Sequence, residues 1–461
     1  MSRVIGVILA GGKGVRFGQD LPKQFTKLAG KMVIEHVTQI FEKSDAVDEI
    51  VVVAKSDYAG LIWELANKNG WGKLAKVVNG GDDRYSSTRS AIVALADYPD
   101  DTKILLHDAV RPLLSERIID DCVSTLDFFS AVDVVIPSSD TLVVVQDNGC
   151  ISSIPARASM RRGQTPQAFT LRVLKDAYAR ADKLGRSDFT CDCGVVRAML
   201  PQVEVATVAG SETNIKITNP LDLFLAEKLI QSKGLDVDID TTALASFAGK
   251  RVVVFGASSG IGQELARLLV IHGARVFGAS RSLNGVDIAD LSAVQAYLAT
   301  CADEAGGIDC VVNTAGVLIK KPLALTAEEE IADMMGVNYV GAVNVAYAAK
   351  PYLAQTKGAL LNFTSSSYTR GRAFYAVYSS TKAAVVNLTQ ALAEEWADDG
   401  IRVNCINPER TNTPMRTRSF GAEPPATLLD PKQVAISSAL TLLSDHTGMI
   451  VDVRKQAIAV A

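Results

Sequence analysis

A chain of 461 residues is too long for one ordinary hydrophobic core, and with 48% of its residues apolar it can fill the cores of two or three domains. Its 47 basic and 51 acidic residues leave a formal charge of −4 and are spread without a basic block, which argues against nucleic acid as a partner. Seven cysteines, an odd number, read as reduced thiols and exclude a disulfide framework.

The first apolar run, in MSRVIGVILAGG, is broken by glycine, too short to span a bilayer and without a signal-peptide cleavage region, so a cytoplasmic protein with no membrane contact is expected. It leads into VILAGGKGVRFGQDLPKQF, a predicted strand followed by Ala10, Gly11, Gly12 and Gly14 and then by Arg16 and Lys23. A loop nearly free of side chains lets backbone N–H groups approach a ligand, and cations just beyond it make that ligand anionic. At their spacing Arg16 and Lys23 reach a triphosphate held by the loop and can stabilise charge on a transferring phosphoryl group.

Further strands are predicted at EIVVVA (49–54), KVVNGG (76–81), KILLHDA (103–109) and VDVVIP (132–137), with helices over 32–43 and 115–129. NGGDDRYSSTRS adds a second glycine turn, Gly80–Gly81, followed by Ser86, Ser87 and Thr88, hydroxyls suited to a base or ribose. LLHDAVRP puts Asp108 at the C-terminal end of a strand, where open α/β sheets bind ligands and where a carboxylate can hold Mg²⁺ on phosphate oxygens. Cys191 and Cys193 lack a second Cys or His pair at ligand spacing, so no zinc site is expected. DLFLAEKLIQSKG is amphipathic, and the polar, acidic LDVDIDTTALASFAGK after it is the linker candidate. The expected domains are residues 1–235 and 250–461, joined by a linker over 236–249.

A second α/β series begins at VVVFGASSGIGQELARLL, with strands predicted at ARVFGAS, IDCVVNTAG, GALLNFTSS and IRVNCINP. Gly256, Gly260 and Gly262 supply a tight turn, room for a pyrophosphate and a helix N-terminus behind it. In YAVYSSTKAAV, Tyr378 and Lys382 lie one helical turn apart; a cation beside a phenol favours phenolate and is expected to lower its pKa. In FGASRS, where NAD enzymes place a carboxylate, Arg281 can pair with a 2′-phosphate, so NADPH is the expected cofactor.

Five ordered motifs, LAGGKGVRFGQDLPKQF, GGDDRYSS, HDAVRP, RRGQTPQAF and TNIKITNPLDL, resemble the 2-C-methyl-erythritol 4-phosphate cytidylyltransferases and the related ribitol 5-phosphate cytidylyltransferases over about residues 3–232. The resemblance implies a Rossmann-like, GT-A-like nucleotidyltransferase fold. In it Arg16 and Lys23 stabilise the transition state, and Ala10, Gly11, Gly12, Gly14, Gly80, Gly81 and Ser87 bind CTP. Asp108 would hold magnesium, and Arg111, Arg157, Thr165 and Lys216 the acceptor phosphate. Where the methyl-erythritol enzymes carry a segment like TDEAS, this chain has SDFTCDCG (187–194), closer to the pentitol branch.

GASSGIG, NTAG, MMGVNYVGAVNV, TSS, YSSTK and RVNCINP resemble the classical short-chain dehydrogenases/reductases over about 249–454. That implies an NAD(P)-binding Rossmann fold with Tyr378 as acid, Lys382 tuning it, Ser365 polarising the carbonyl and Asn338 completing a proton relay. Gly256, Ser258, Gly260, Ile261, Gly262, Arg281, Asp287, Asn313, Ala315 and Gly316 would bind NADPH. Glu409 stands where glycine is common, the ending SDHTGMIVDVRK lacks the family's Asp-Gly-Gly, and Arg416 and Arg418 are candidates for a substrate phosphate.

A reductase fused to a cytidylyltransferase implies an alditol phosphate as the shared intermediate. The whole chain looks like the bifunctional enzymes of bacterial capsule synthesis: ribulose 5-phosphate reduced to ribitol 5-phosphate, then coupled to CTP as CDP-ribitol, in a homodimer. The alternatives are an isoprenoid-pathway methyl-erythritol cytidylyltransferase carrying an unrelated reductase, and a reductase fold kept as a non-catalytic module.

Overall fold

The computed structural model describes residues 2–12, 22–232 and 241–455, and the chain forms two compact units that divide between Leu229 and Ile230. In the first, near-continuous runs of apolar and β-branched residues make strands buried on both faces. β1 (Val4–Leu9), β2 (Glu49–Ala54), β4 (Lys103–Asp108) and β5 (Ala131–Pro137) are of this kind, and the more exposed β3 (Leu74–Asn79), β6 (Arg161–Thr170) and β7 (Val205–Ala209) complete the sheet. The sheet order is β7-β5-β6-β4-β1-β2-β3, with β6 antiparallel to both neighbours and the other pairs parallel. One core holds Ile8, Phe41, Leu105 and Ile118; the other holds Ile5, Leu106, Phe169 and Tyr178. The chain winds outward on both sides of β1, so the crevice at the C-terminal ends of β1 and β4 is the ligand position of this topology.

The strands predicted at 49–54, 76–81, 103–109 and 132–137 are those observed, within two residues at either end. β6 shows in the sequence only as a motif, because the Gly, Gln and Pro of RRGQTPQAF hide strand alternation. Its ladder is interrupted between Gly163 and Gln167. Pro166 within that interval has no N–H to donate, and such a bulge re-aims the side chain beside it, here Thr165.

The second unit contains β8 (Arg251–Phe255), β9 (Arg275–Ala279), β10 (Cys310–Asn313), β11 (Ala359–Phe363), β12 (Arg402–Pro408) and β13 (Ile450–Val453), in the order β9-β8-β10-β11-β12-β13, all parallel. The order reverses between β8 and β10, which puts the binding crevice at Phe255 and Asn313. Glu409 does structural work here: its N–H donates to the Val453 carbonyl (2.9 Å) and its carboxylate accepts from Lys455 N (2.9 Å), tying the last strand to β12.

The expected linker 236–249 is corrected in its second half. Thr241–Phe247 form a 3₁₀ helix against the helix Pro431–Leu443, with Leu244 and Phe247 buried, so these residues belong to the second unit's core. Residues 233–240 lie outside the described residues. Among the described residues no helix is long and apolar enough to cross a membrane.

Candidate active sites

In the first unit, β1 delivers Ala10, Gly11 and Gly12 to its C-terminal end. Ala10 N donates to the Val53 carbonyl (2.7 Å), and the Ala10 carbonyl accepts from Gln24 Nε2 (2.6 Å). A side chain at Gly11 would begin 3.0 Å from Ser87 Oγ and 3.9 Å from Gly80, so the two glycine turns and Ser87 converge. Gly81 is forced by packing, since a Cβ there would collide with Ser86. Asp83 caps the helix Arg84–Ala94 by accepting from Ser86 N (2.7 Å), and Ser87 Oγ donates back to the Asp83 carbonyl (2.7 Å). Arg16 and Gly14 lie outside the described residues; Lys23 opens a short 3₁₀ turn, where its charge helps depress the pKa of Asp222.

Asp108 ends β4 and is buried among cations. Its Oδ1 accepts from Arg84 (2.5 Å), while Oδ2 faces Arg111 (3.3 Å) and Lys216 (3.0 Å). Burial alone would raise its pKa, but Arg84, Lys216 and Arg111 together hold it well below the usual carboxylate range. Thr165 joins them: its Oγ1 accepts from Asp108 N (3.1 Å) and meets His107 Nδ1 at 3.0 Å. Burial pushes His107 down to about 4, so the ring stays neutral.

One expectation is corrected here. Both Asp108 oxygens are already engaged by cations, and among the described residues no group of three or more His, Cys, Asp or Glu is placed to hold a metal, so the residues present do not fit an Mg²⁺ bound by this carboxylate. Within one chain Arg157 lies apart from Arg111, Thr165 and Lys216. It sits in an exposed turn, donating to the Ser139 carbonyl (3.4 Å), beyond a two-stranded ribbon, Val144–Val145 with Ile151–Ser153.

Sequence reading passed over Arg84 and Asp192. Arg84 Nε and Nη2 donate to Asp192 (2.9 and 2.7 Å), and the fully buried Asp192 also accepts from Thr88 (2.8 Å) and Tyr178 (2.7 Å). The arginine in DDRYSS was visible; its partner 108 residues away was not.

In the second unit Gly256 lies at φ 84°, and a Cβ there would fall 2.6 Å from Ala315 N, so only glycine lets the loop close on β10. A cavity of about 760 Å³ follows. Its walls include Ser258, Gly260, Ile261, Gly262, Arg281 and Asp287 as well as Ser365, Tyr378 and Lys382 with Ala315 and Gly316. Asn313 and Asn338 are buried behind the wall. Asn313 accepts from Ala315 N (3.2 Å), and Asn338, in the π turn Gly336–Val340, holds both backbone groups of Val317 (2.8 Å each) and reaches Thr381 (3.3 Å). A Cβ on Gly316 would approach Asn338 Oδ1 at 3.3 Å and Lys382 Nζ at 3.6 Å, so these residues meet. The glycine turn, the N-terminus of the helix Gly260–Ile271 and this cleft fit a dinucleotide.

The expected lowering of the Tyr378 pKa is not what the site does. Burial pushes the phenol up to about 12, against a hydrogen bond with Ser365 that pulls it down. Lys382 lies 5.8 Å from the ring centroid and donates to the Phe363 carbonyl (3.0 Å); burial brings it down to about 8. Desolvation therefore outweighs the Ser365 hydrogen bond and the charge of Arg416, both of which pull the phenol down. Arg416 is committed to Glu423 through two hydrogen bonds (2.6 and 2.9 Å), whereas Arg418 also lines the cavity.

A family model described as 2-C-methyl-D-erythritol 4-phosphate cytidylyltransferase matches residues 4–232, and one described as short chain dehydrogenase matches residues 250–423. Over its whole length the chain is similar to the bifunctional ribulose 5-phosphate reductase/CDP-ribitol pyrophosphorylase of Haemophilus influenzae, with 48% identity over 453 residues, 97% of this chain and 95% of that one. The first half is 42% identical to the 2-C-methyl-D-erythritol 4-phosphate cytidylyltransferase of Thermobifida fusca, over 50% of this chain and 94% of that one. It is 35% identical to the ribitol-5-phosphate cytidylyltransferase of Lactiplantibacillus plantarum, over 49% of this chain and 97% of that one. A nucleotidyltransferase unit on a seven-stranded sheet, followed by a short-chain dehydrogenase unit with a nicotinamide-cofactor cleft, is the arrangement matched end to end, and the chain belongs to the family of the bifunctional Haemophilus influenzae enzyme.

Proposed function

We propose that the chain carries out two consecutive reactions: reduction of D-ribulose 5-phosphate to D-ribitol 5-phosphate with NADPH in the second unit, and coupling of that product to CTP in the first, giving CDP-ribitol and pyrophosphate for a capsular or cell-wall polymer. The observation that carries this is the end-to-end match to a relative bearing both activities in its name. Identity of the first half alone points elsewhere, because 42% to a methyl-erythritol enzyme exceeds 35% to a ribitol enzyme. The full-length match outweighs it, since it alone accounts for the reductase. The chemistry is coherent: the reductase makes a secondary alcohol from a ketone, and the transferase consumes an alditol phosphate.

In the transferase the acceptor's phosphate oxygen attacks the α-phosphorus of CTP and pyrophosphate leaves, so catalysis is positioning and charge stabilisation. The glycine turns and Ser87 hold the nucleotide. Arg111 and Lys216, oriented by Asp108 and Thr165, present positive charge to the acceptor phosphate, and Arg16 and Lys23 stabilise the transferring group. Mg²⁺ would enter on the phosphate oxygens of CTP rather than on Asp108. In the reductase a nicotinamide held in the cleft would supply the hydride for C2. Tyr378, neutral with its pKa near 12, gives its proton to the carbonyl oxygen that Ser365 also binds. Lys382 holds the ribose and supports that proton's replacement, and Asn338 fixes the wall behind it.

Arg281 lies at the rim of the same cavity, 3.3 Å from Asp333 and 3.9 Å from Asp287. A 2′-phosphate would draw it from those exposed partners. Arg281→Ala is expected to raise the KM for NADPH about tenfold while changing that for NADH little; equal effects on both cofactors in steady-state assays count against the NADPH assignment.

We also propose a cytoplasmic homodimer. Val143, Val144, Val145, Ile151 and Ile154 are exposed on and beside one ribbon, an apolar patch suited to burial against a second copy. Light scattering is expected to give the mass of two chains, and a monomer at micromolar concentration contradicts the pairing.

The overall test incubates the protein with ribulose 5-phosphate, NADPH, CTP and Mg²⁺, following NADPH loss and product mass. A new CDP-pentitol formed with NADPH consumption supports both steps. Untouched NADPH, with methyl-erythritol phosphate converted to its CDP adduct in a parallel tube, replaces this function with the isoprenoid one.

A further inference from the structure

We propose that Arg372 binds the phosphate of the keto-sugar substrate and so makes the reductase selective for a phosphorylated over a free pentulose; this rests on the reduction proposed above. Arg372 lines the same cavity as Ser365, Tyr378 and Lys382. It lies in the loop between β11 and the helix Ala376–Glu395, the segment joining the serine to the tyrosine.

Three other arginines of the cavity face carboxylates. Arg416 is held by Glu423 and stacks 4.4 Å from the Phe420 centroid, Arg410 also directs charge at Glu423, and Arg281 pairs with Asp287 and Asp333. Arg418 stands on the helix Pro414–Phe420, whose first turn abuts the cofactor loop: a Cβ on Gly260 would meet Thr413 at 3.2 Å. Among the described residues Arg372 has no carboxylate partner, and its Nη2 donates only to Ser366 Oγ (3.4 Å), the neighbour of Ser365.

The span agrees with the substrate. In an extended pentulose 5-phosphate the phosphorus lies about 6 Å from C2, five bonds away, more than the ~3.8 Å between consecutive Cα atoms. With the carbonyl at Ser365 and Tyr378, a phosphate at that reach can meet the guanidinium that hydrogen-bonds Ser366, the residue after Ser365. The loop is shaped for this: Tyr375 N bonds back to the Arg372 carbonyl (3.5 Å), Phe374 takes φ 72°, a conformation costly for a bulky residue, and Tyr375 packs edge-on to both Tyr378 and Phe420. A planar guanidinium beside a hydroxyl is a suitable phosphate fork.

The test compares wild type, Arg372→Ala, Arg372→Lys and Arg418→Ala in the full chain. Arg372→Ala is expected to raise the KM for ribulose 5-phosphate by about 10- to 100-fold with a much smaller change in kcat, Arg372→Lys to recover part of it, and kcat/KM for free ribulose to stay within about twofold. In parallel, inorganic phosphate is titrated into NADPH-saturated protein, read by the fluorescence of bound nicotinamide, and half-saturation is expected at about tenfold higher phosphate in Arg372→Ala. An equal loss for ribulose and its phosphate, or the KM effect appearing in Arg418→Ala instead, overturns the assignment. A wild type inert towards ribulose 5-phosphate overturns the proposed reaction, and the phosphate titration then decides on Arg372 alone: an unchanged curve in the variant refutes it.

Discussion

Replacing Arg84 by alanine is expected to abolish CDP-ribitol formation and destabilise the first unit by about 3–5 kcal/mol, the usual cost of removing one partner from a buried ion pair. Arg84 neutralises two carboxylates at once, Asp192 with no exposed surface and Asp108 at the end of β4. Without it the Asp192 carboxylate keeps only the hydroxyls of Thr88 and Tyr178, neither of which carries charge. Asp108 keeps Arg111 and Lys216 but loses the partner that fixes its Oδ1, so the acceptor cations lose their register. Arg84→Lys restores charge without the fork that spans both acids and should recover stability better than turnover. The check is denaturant unfolding of the full chain together with both activities. The first transition should move to lower denaturant while NADPH oxidation survives, because the reductase has a core of its own around Phe255, Val311 and Leu360. Normal CTP turnover in the alanine variant would remove Arg84 from the site.

The second large effect concerns Tyr378. Tyr378→Phe keeps the ring and its edge contact with Tyr375 but removes the only proton this site delivers to the carbonyl oxygen, so reduction should fall by about 10²–10⁴-fold with CTP turnover unchanged. The pH dependence has a defined sign. The phenol, near 12, stays protonated across the working range, while Lys382, near 8, is charged below that pH and neutral above it. Reduction should therefore decline as pH rises through about 8, and Lys382→Met should flatten that limb at a lower rate. Measuring kcat/KM for ribulose 5-phosphate from about pH 6 to about pH 10 tests this. A profile flat across that range in wild type would deny Lys382 its part, and unaltered reduction in Tyr378→Phe would remove the phenol from the proton transfer.

Much of each site is local in sequence and was legible for that reason. A glycine loop after a strand is a contiguous signal, because the same few residues make the turn, the backbone approach and the helix start; Gly256 to Gly262 and Gly80 to Ser87 are of this kind. Tyr378 and Lys382 share a helix, so one turn of spacing places them on one face. The strands at 49–54 and 103–108 follow from runs of residues that can be buried on both faces. β6 was missed as a strand because its pairing is antiparallel across an interrupted ladder, and the residues that break the pattern are those that turn Thr165 towards Asp108.

The amino-acid sequence by itself determined that there are two α/β units, where their phosphate loops lie and which chemistry each can carry, since those depend on residue type at short spacing. Tertiary structure alone decided the electrostatics. Asp108 reads as a metal ligand until Arg84, Arg111 and Lys216 arrive from the second glycine turn, the β4 exit and the segment before the last helix of the unit to occupy both its oxygens. The phenol of Tyr378 reads as acidified by its lysine until burial is counted, and Arg416 reads as a phosphate ligand until Glu423 is found holding it. A charge's partners and its distance from water depend on segments far apart in the chain, and a local pattern carries neither quantity.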